Sequence, residues 1–140
     1  MYNALDLSRY IVTKCIEDHH PISNLQLQKI LYYIQREFLK NGEIAFPDEI
    51  EAWQFGPVVP NVYYYFCGYG AMPISLAQES VIINPQDAAC INHIVEQKRM
   101  KNPWDLVSET HKTNGAWAKI YDNGKGNHCV IPIELIKLVG

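Results

Sequence analysis

The sequence predicts a mainly α fold: a single compact domain, residues 1–140, of five or six helices with a small antiparallel β element. Three observations carry this. Residues 23–40 place apolar side chains at one helical spacing. Two later segments open with the same Asn-Pro-x-Asp start, a helix N-terminus pattern. Strand signals are few, short and bounded by Pro, Gly or Asn. Size agrees, because 140 residues with 48% hydrophobic content should fold to a surface of about 7,400 Å², from roughly 23,000 Å² unfolded. That suffices for one core without disulfide or metal staples.

Taken in order, Asn3 caps a first helix carrying Leu5, Ile11, Val12, Cys15 and Ile16 on one side, which ends near His19-His20-Pro21 because Pro21 disfavours continuation. In the second helix Leu27, Ile30, Leu31, Ile34 and Phe38 share a face. Ser23 and Gln26 form an S-x-x-Q capping box, Ile22 staples onto Leu27, and Asn41-Gly42 supplies a left-handed stop. Residues 50–55 alternate weakly as a strand. Gly56-Pro57 then demands a turn, and Pro57 and Pro60 leave Val58-Val59 extended. Asn61 caps a short helix with Val62, Tyr63 and Phe66, and residues 80–83 form a brief β-branched run. Asn84-Pro85 opens a helix with Ile91, Ile94 and Val95; Asn102-Pro103 opens another with Leu106 and Val107 that fades near His111. A short helix follows at residues 116–121, then a Gly-rich loop at 123–127. A short strand at 129–131 precedes a last helix opened by Pro132 and Glu134.

Charge is distributed unevenly. The net charge is −3, from 12 Lys+Arg and 15 Asp+Glu, which argues against a generally basic nucleic-acid coat. Between Lys40 and Lys98 there is no Lys or Arg, and that stretch carries Glu43, Asp48, Glu49, Glu51, Glu79, Asp87 and Glu96. The N-terminus has no uninterrupted apolar region of the signal-peptide kind, and no run reaches the 18 apolar residues that read as a membrane span. Cys15, Cys67, Cys90 and Cys129 are irregularly spaced, as expected of free thiols. The expectation is a cytoplasmic protein without a membrane partner.

No catalytic or metal signature stands out. Cys90-x-x-His93 and Cys15-x-x-x-His19 would each place two ligands on one helix face, and His128-Cys129 adds two more, but the paired Cys knuckles of zinc ribbons are absent. Cys67 follows a helix instead of opening one, so no helix N-terminus activates its thiol. There is no G-x-S-x-G, and Gly124-Lys125-Gly126 lacks P-loop spacing. The carboxylates Asp48, Glu49 and Glu51 read as a solvated loop. Lys98, Arg99, Lys101, Lys112, Lys119 and Lys125 make only a modest basic group without a recognition helix. A non-enzymatic protein with no cofactor and no metal is the expectation, and nucleic acid is disfavoured as a partner.

The segment that does stand out is aromatic. Seven of the chain's sixteen aromatic residues lie between Trp53 and Tyr69, among acids and without a cation. Such residues anchor protein interfaces. Glu49, Glu51, Trp53, Phe55, Tyr63, Tyr64 and Tyr65 are therefore the candidate partner-binding residues. The competing reading places Trp53, Phe55, Val62 and Phe66 in the core. Of three consecutive tyrosines on a short helix, at least one must face water.

Two blocks together resemble a known family. Leu25-Gln26-Leu27-Gln28-Lys29-Ile30-Leu31-Tyr32-Tyr33, followed by Glu51-Ala52-Trp53-Gln54-Phe55-Gly56-Pro57-Val58-Val59-Pro60-Asn61-Val62-Tyr63, is similar to the signature of the Panacea antitoxin domain, the phage-associated SocA-like or GepA-like family. Ser108-Glu109-Thr110-His111 with Trp117 resembles its later block, so the likeness runs from about Ser8 to Ile136. The resemblance makes Gln28, Lys29, Tyr32, Gly56, Pro57, Val58, Val59, Pro60, His111 and Trp117 family-motif positions of structural character. It implies an antitoxin, prophage- or operon-encoded, that neutralises a cognate toxin protein by direct contact. One family type is instead a proteolytic adaptor, which adds an AAA+ protease as a second partner. A cysteine-dependent enzyme and a transcriptional regulator are the remaining readings. Some members join the domain to a DNA-binding segment, and the chain begins directly with the domain, which argues against operator binding. The run Tyr63-Tyr64-Tyr65-Phe66 departs from the charged residues more usual there. Nothing in the sequence fixes the oligomeric state.

Overall fold

Helix α2 (Asn24–Lys40) is the axis around which the chain is wound. The computed structural model describes residues 1–140, and in it α2 packs against elements from both ends of the chain. Its start is fixed locally. The Ser23 hydroxyl accepts from Gln26 N at 3.2 Å, and Gln26 Oε1 accepts from Ser23 N at 3.0 Å, which closes the expected capping box. At its end Gly42 takes φ +78°, and Glu43 N reaches back to the Phe38 carbonyl at 3.0 Å. That is a Schellman-type stop, and it needs the left-handed conformation glycine tolerates. The expected face of Leu27, Ile30, Leu31, Ile34 and Phe38 is buried, but so are Gln28, Lys29, Tyr32, Tyr33 and Gln35 on the flanks.

Six further helices surround it: α1 (Ala4–Glu17), α3 (Pro60–Phe66), α4 (Pro85–Lys98), α5 (Pro103–Thr110), α6 (Ala116–Tyr121) and α7 (Ile133–Val139). Asn3, Asn84 and Asn102 cap α1, α4 and α5 through their side chains, as the sequence predicts. The core face of α1 is Ala4, Leu7, Ile11, Val12 and Cys15; Leu5 and Ile16 sit at its margin, only partly buried. One cluster of 31 buried hydrophobic residues joins these helices, and the accessible surface is 7340 Å², close to the value expected from chain length.

Three short strands, β1 (Glu51–Trp53), β2 (Gly56–Val58) and β3 (Cys129–Val130), form an antiparallel sheet in the order β2-β1-β3. Trp53 pairs with Gly56, so the hairpin turns at Gln54-Phe55, earlier than the Gly56-Pro57 turn the sequence suggests. Gly56 itself begins β2 at φ +109°. Two other expectations are corrected. Asn61 does not cap α3; Val59 holds the cap position with Pro60 in the first turn, and Asn61 Nδ2 donates to Asp48 at 3.0 Å. Residues 80–83 form no strand, because no neighbouring strand pairs with them. Ile83 is buried there while Ile82 is 94% exposed.

Candidate functional site

The hairpin is held on α2 by side chains. Gln28 accepts from Val59 N at 2.9 Å and donates to Asn24 Oδ1 at 2.9 Å; Asn24 in turn donates to the Tyr63 carbonyl at 3.1 Å. One residue on, Lys29 Nζ donates to the Pro57 carbonyl at 3.0 Å. Backbone groups along the outer side of β2 and into the start of α3 are thus satisfied by three fully buried polar residues of one helix. Gly56 makes the approach feasible. A Cβ there would stand 2.7 Å from Thr110 Oγ1 and 2.9 Å from Lys29 Cε.

Lys29 is 0% exposed and forms no ion pair. Burial disfavours its charged form and pulls its pKa down to about 7. His111 is also pushed below the usual imidazole range, first by burial and then by the Lys29 charge. Its ring stacks on Trp117 at 3.6 Å and 3°, and Tyr121 stacks on Trp117 at 4.6 Å. Trp117 Nε1 donates to the Trp53 carbonyl at 2.7 Å. Lys29 of the first motif block and Trp117 of the later one thus each hold the hairpin that the middle block forms. Tyr32 lies in the core, where burial raises its phenol to about pKa 12.

Above this scaffold lies a groove of about 460 Å³ between the hairpin with α3 and the first turn of α5. Trp53 forms one wall, stacked on His128 at 4.3 Å and met edge-on by Tyr63 at 4.9 Å. Phe55, at the hairpin tip, meets Trp104 edge-on at 5.2 Å on the other side. Leu25 and Val58 also line it. Phe55 is 46% and Trp104 58% exposed, and Tyr64, 60% exposed, borders Trp53 at 6.0 Å.

Of the candidate partner-binding residues, Trp53, Phe55 and Tyr63 line this groove, and Tyr64 stands beside it. Glu51 is half-buried and accepts the Trp53 indole N–H at 2.9 Å. Glu49 is exposed but does not line the groove. Tyr65 turns toward α1, where the Arg9 guanidinium lies 5.5 Å from its ring centroid. Val62 and Phe66 are core. Trp104 and His128 were missed. Trp104 carried one usable signal, since it precedes the apolar pair Leu106-Val107 on a capped first turn and so falls off the buried face.

The acidic middle is dispersed in space. Asp48 accepts from Ala4 N at the start of α1, Asp87 holds Tyr2, and Glu96 pairs with Lys14. Half of the basic group is also paired: Lys98 and Lys101 both meet Glu109, and Arg99 meets Asp18 at 2.7 Å. Cys15 is buried, while His19 lies past the end of α1 at φ +55°. No group of three or more His, Cys, Asp or Glu is placed to hold a metal ion, and no helix is long and apolar enough to cross a membrane.

The family model described as antitoxin SocA-like, Panacea domain, matches residues 27–118, a span that includes Gln28, Lys29, the hairpin and Trp117. The chain belongs to this family. Antitoxin SocA of Caulobacter vibrioides (strain NA1000 / CB15N) is 32% identical over 128 residues, covering 82% of this chain and 68% of that protein. No solved structure matches. Within this Panacea domain, the motif positions Gln28, Lys29 and Gly56 through Val59 touch one another directly, and the groove is built on them.

Proposed function

We propose that this protein is an antitoxin that neutralises a cognate toxin by direct protein–protein contact, without catalysis, through the aromatic groove and its rim. The observation that carries the reading is the cluster of Phe55, Trp104 and Tyr64, each about half exposed, around a preformed groove in a domain of antitoxin kinship. Aromatic side chains left accessible at a concave site are the usual anchors of a protein interface. A rigid floor of satisfied polar contacts keeps the ordering cost of binding low.

The experiment is co-expression with the toxin encoded by the adjacent reading frame, scored by growth rescue and by co-elution. The wild-type chain should rescue growth and co-elute, and Trp104→Ala should lose both while keeping its melting temperature. Rescue that persists in Trp104→Ala and Tyr64→Ala would remove this face from the contact. Rescue that requires an AAA+ protease and shortens the toxin's lifetime would replace occlusion with delivery for proteolysis.

A further inference from the structure

We propose that the groove between the hairpin tip and α5 takes an extended, arginine- or lysine-bearing segment of the partner protein. This rests on the antitoxin reading for the partner's identity, and on the groove itself for its chemistry. The walls are aromatic on both sides, with Trp53 and Tyr63 facing Phe55 and Trp104. A long side chain can lay its methylene stem between such walls, and a cation is attracted to their ring faces.

Charge selects the occupant. Glu51 is half-buried and stands outside the groove lining, behind the Trp53 wall, where its Oε1 accepts the indole N–H. It has no Lys or Arg partner of its own, so its negative charge is uncompensated there. The groove's one lysine is Lys29, which is fully buried, turned to the Pro57 carbonyl and packed close against Gly56. No exposed Lys or Arg lines the groove. The one exposed basic ring in the lining, His128, is stacked on Trp53. An acidic segment would therefore meet no Lys or Arg there, whereas a basic one would find the Glu51 carboxylate beside the Trp53 wall as a counter-charge. The rim also offers Gln54 and Asn127, both exposed, whose side-chain amides make no hydrogen bond within the protein. Each amide presents a donor and an acceptor, which matches the backbone of an extended peptide.

The test uses the full chain and four blocked hexapeptides, Ac-Ala-Leu-Xaa-Ala-Leu-Ala-NH2, with arginine, lysine, norleucine or glutamate at Xaa. Binding is read from tryptophan emission and from the indole N–H signals of Trp53 and Trp104. The arginine and lysine peptides should bind about tenfold tighter than the glutamate peptide at low salt, and the preference should shrink at high salt. Glu51→Gln keeps an acceptor for the Trp53 indole, so it should erase most of that preference while leaving norleucine binding unchanged. Equal binding of the arginine, norleucine and glutamate peptides would overturn the proposal. So would a preference for glutamate, shifts confined to signals other than the two indoles, or displacement of the arginine peptide by a short single-stranded oligonucleotide. The same variants separate this inference from the antitoxin reading. If Glu51→Gln and Trp104→Ala still rescue growth while the wild-type chain prefers the arginine peptide, the groove chemistry stands and the toxin docks elsewhere. If they lose rescue while all four peptides bind alike, the toxin contact stands and the cationic occupant does not.

Discussion

Lys29 Nζ donates to the Pro57 carbonyl at 3.0 Å from a fully buried position, and no carboxylate stands opposite it. The bond joins the central helix to the hairpin, and it does so with an ammonium that water no longer solvates. Burying a charge without a counter-ion is costly, so the group is biased toward its neutral form.

That bias fixes a sign. The folded-state pKa of Lys29 is about 7, against about 10.4 in an unfolded chain. Between these values the unfolded state binds the proton and the folded state does not. Stability from this group is therefore lowest at and below pH 7 and rises by about 1.4 kcal/mol per pH unit above it. Buried Cys15 and Tyr33, whose pKa values are raised by burial, oppose the trend at higher pH. The clean measurement is thus the difference between wild type and Lys29→Met, by denaturant unfolding from pH 7 to 8.5. Wild type should gain on the variant as pH rises; parallel profiles would show that Lys29 is not the titrating group.

Gly56→Ala should destabilise the fold by about 2–3 kcal/mol. The backbone there sits at φ +109°, and the new methyl would press on Thr110 Oγ1 and Lys29 Cε. Thermal melting of Gly56→Ala beside Gly42→Ala provides the comparison, since Gly42 also has positive φ but open space around its Cβ position. The loss at Gly56 should be the larger of the two.

Gln28→Leu keeps the side-chain bulk but removes an acceptor from Val59 N–H and a donor from Asn24. Leaving buried polar groups unmatched costs on the order of 2–3 kcal/mol here. Amide exchange at Val59 should accelerate beyond what the global loss of stability explains. Unchanged protection of that amide would place its restraint elsewhere.

Trp117→Phe retains an aromatic ring against His111 and Tyr121 but deletes the indole N–H that reaches the Trp53 carbonyl at 2.7 Å. A loss of about 1–2 kcal/mol is expected. Partner binding should weaken with it, because the Trp53 wall loses its brace.

Tyr64→Ala touches a residue that is mostly in water, so the melting temperature should move little. Its effect belongs in the complex, as a faster off-rate with a nearly unchanged on-rate. Charge reversal at Glu49 and Glu51 should do the opposite, slowing association and blunting its salt dependence. Surface plasmon resonance with the toxin at two salt concentrations reads both.

Much of the helical framework was legible because caps are local. Ser23 with Gln26, Asn84 with Pro85 and Asn102 with Pro103 each determine a helix start within four residues. The burial of Gln28 and Lys29 was not legible from periodicity, which assigns such residues to a wet face; only the hairpin, arriving about thirty residues later, covers them. The turn was misplaced for a related reason. Gly56 reads as a bend, yet its positive φ serves the close approach to Thr110 and Lys29 at the start of a strand. The aromatic block 53–69 identified half of the groove. The other half, Trp104 and His128, comes from segments about fifty and seventy-five residues downstream of Phe55 and Trp53, which they meet only in three dimensions.

The polar side chains that α2 lends to β2 also bear on how this molecule meets others. A strand at the border of a sheet normally displays an unpaired ladder that a foreign strand can extend, and proteins block such borders to avoid runaway association. Here the Pro57 carbonyl and Val59 N–H are already taken by Lys29 and Gln28, and the opposite border is β3, only two residues long. The sheet offers almost no template for strand addition. Whatever docks beside the hairpin must be recognised by side chains, a mode that leaves specificity open to change by substitution at the rim while the backbone stays fixed.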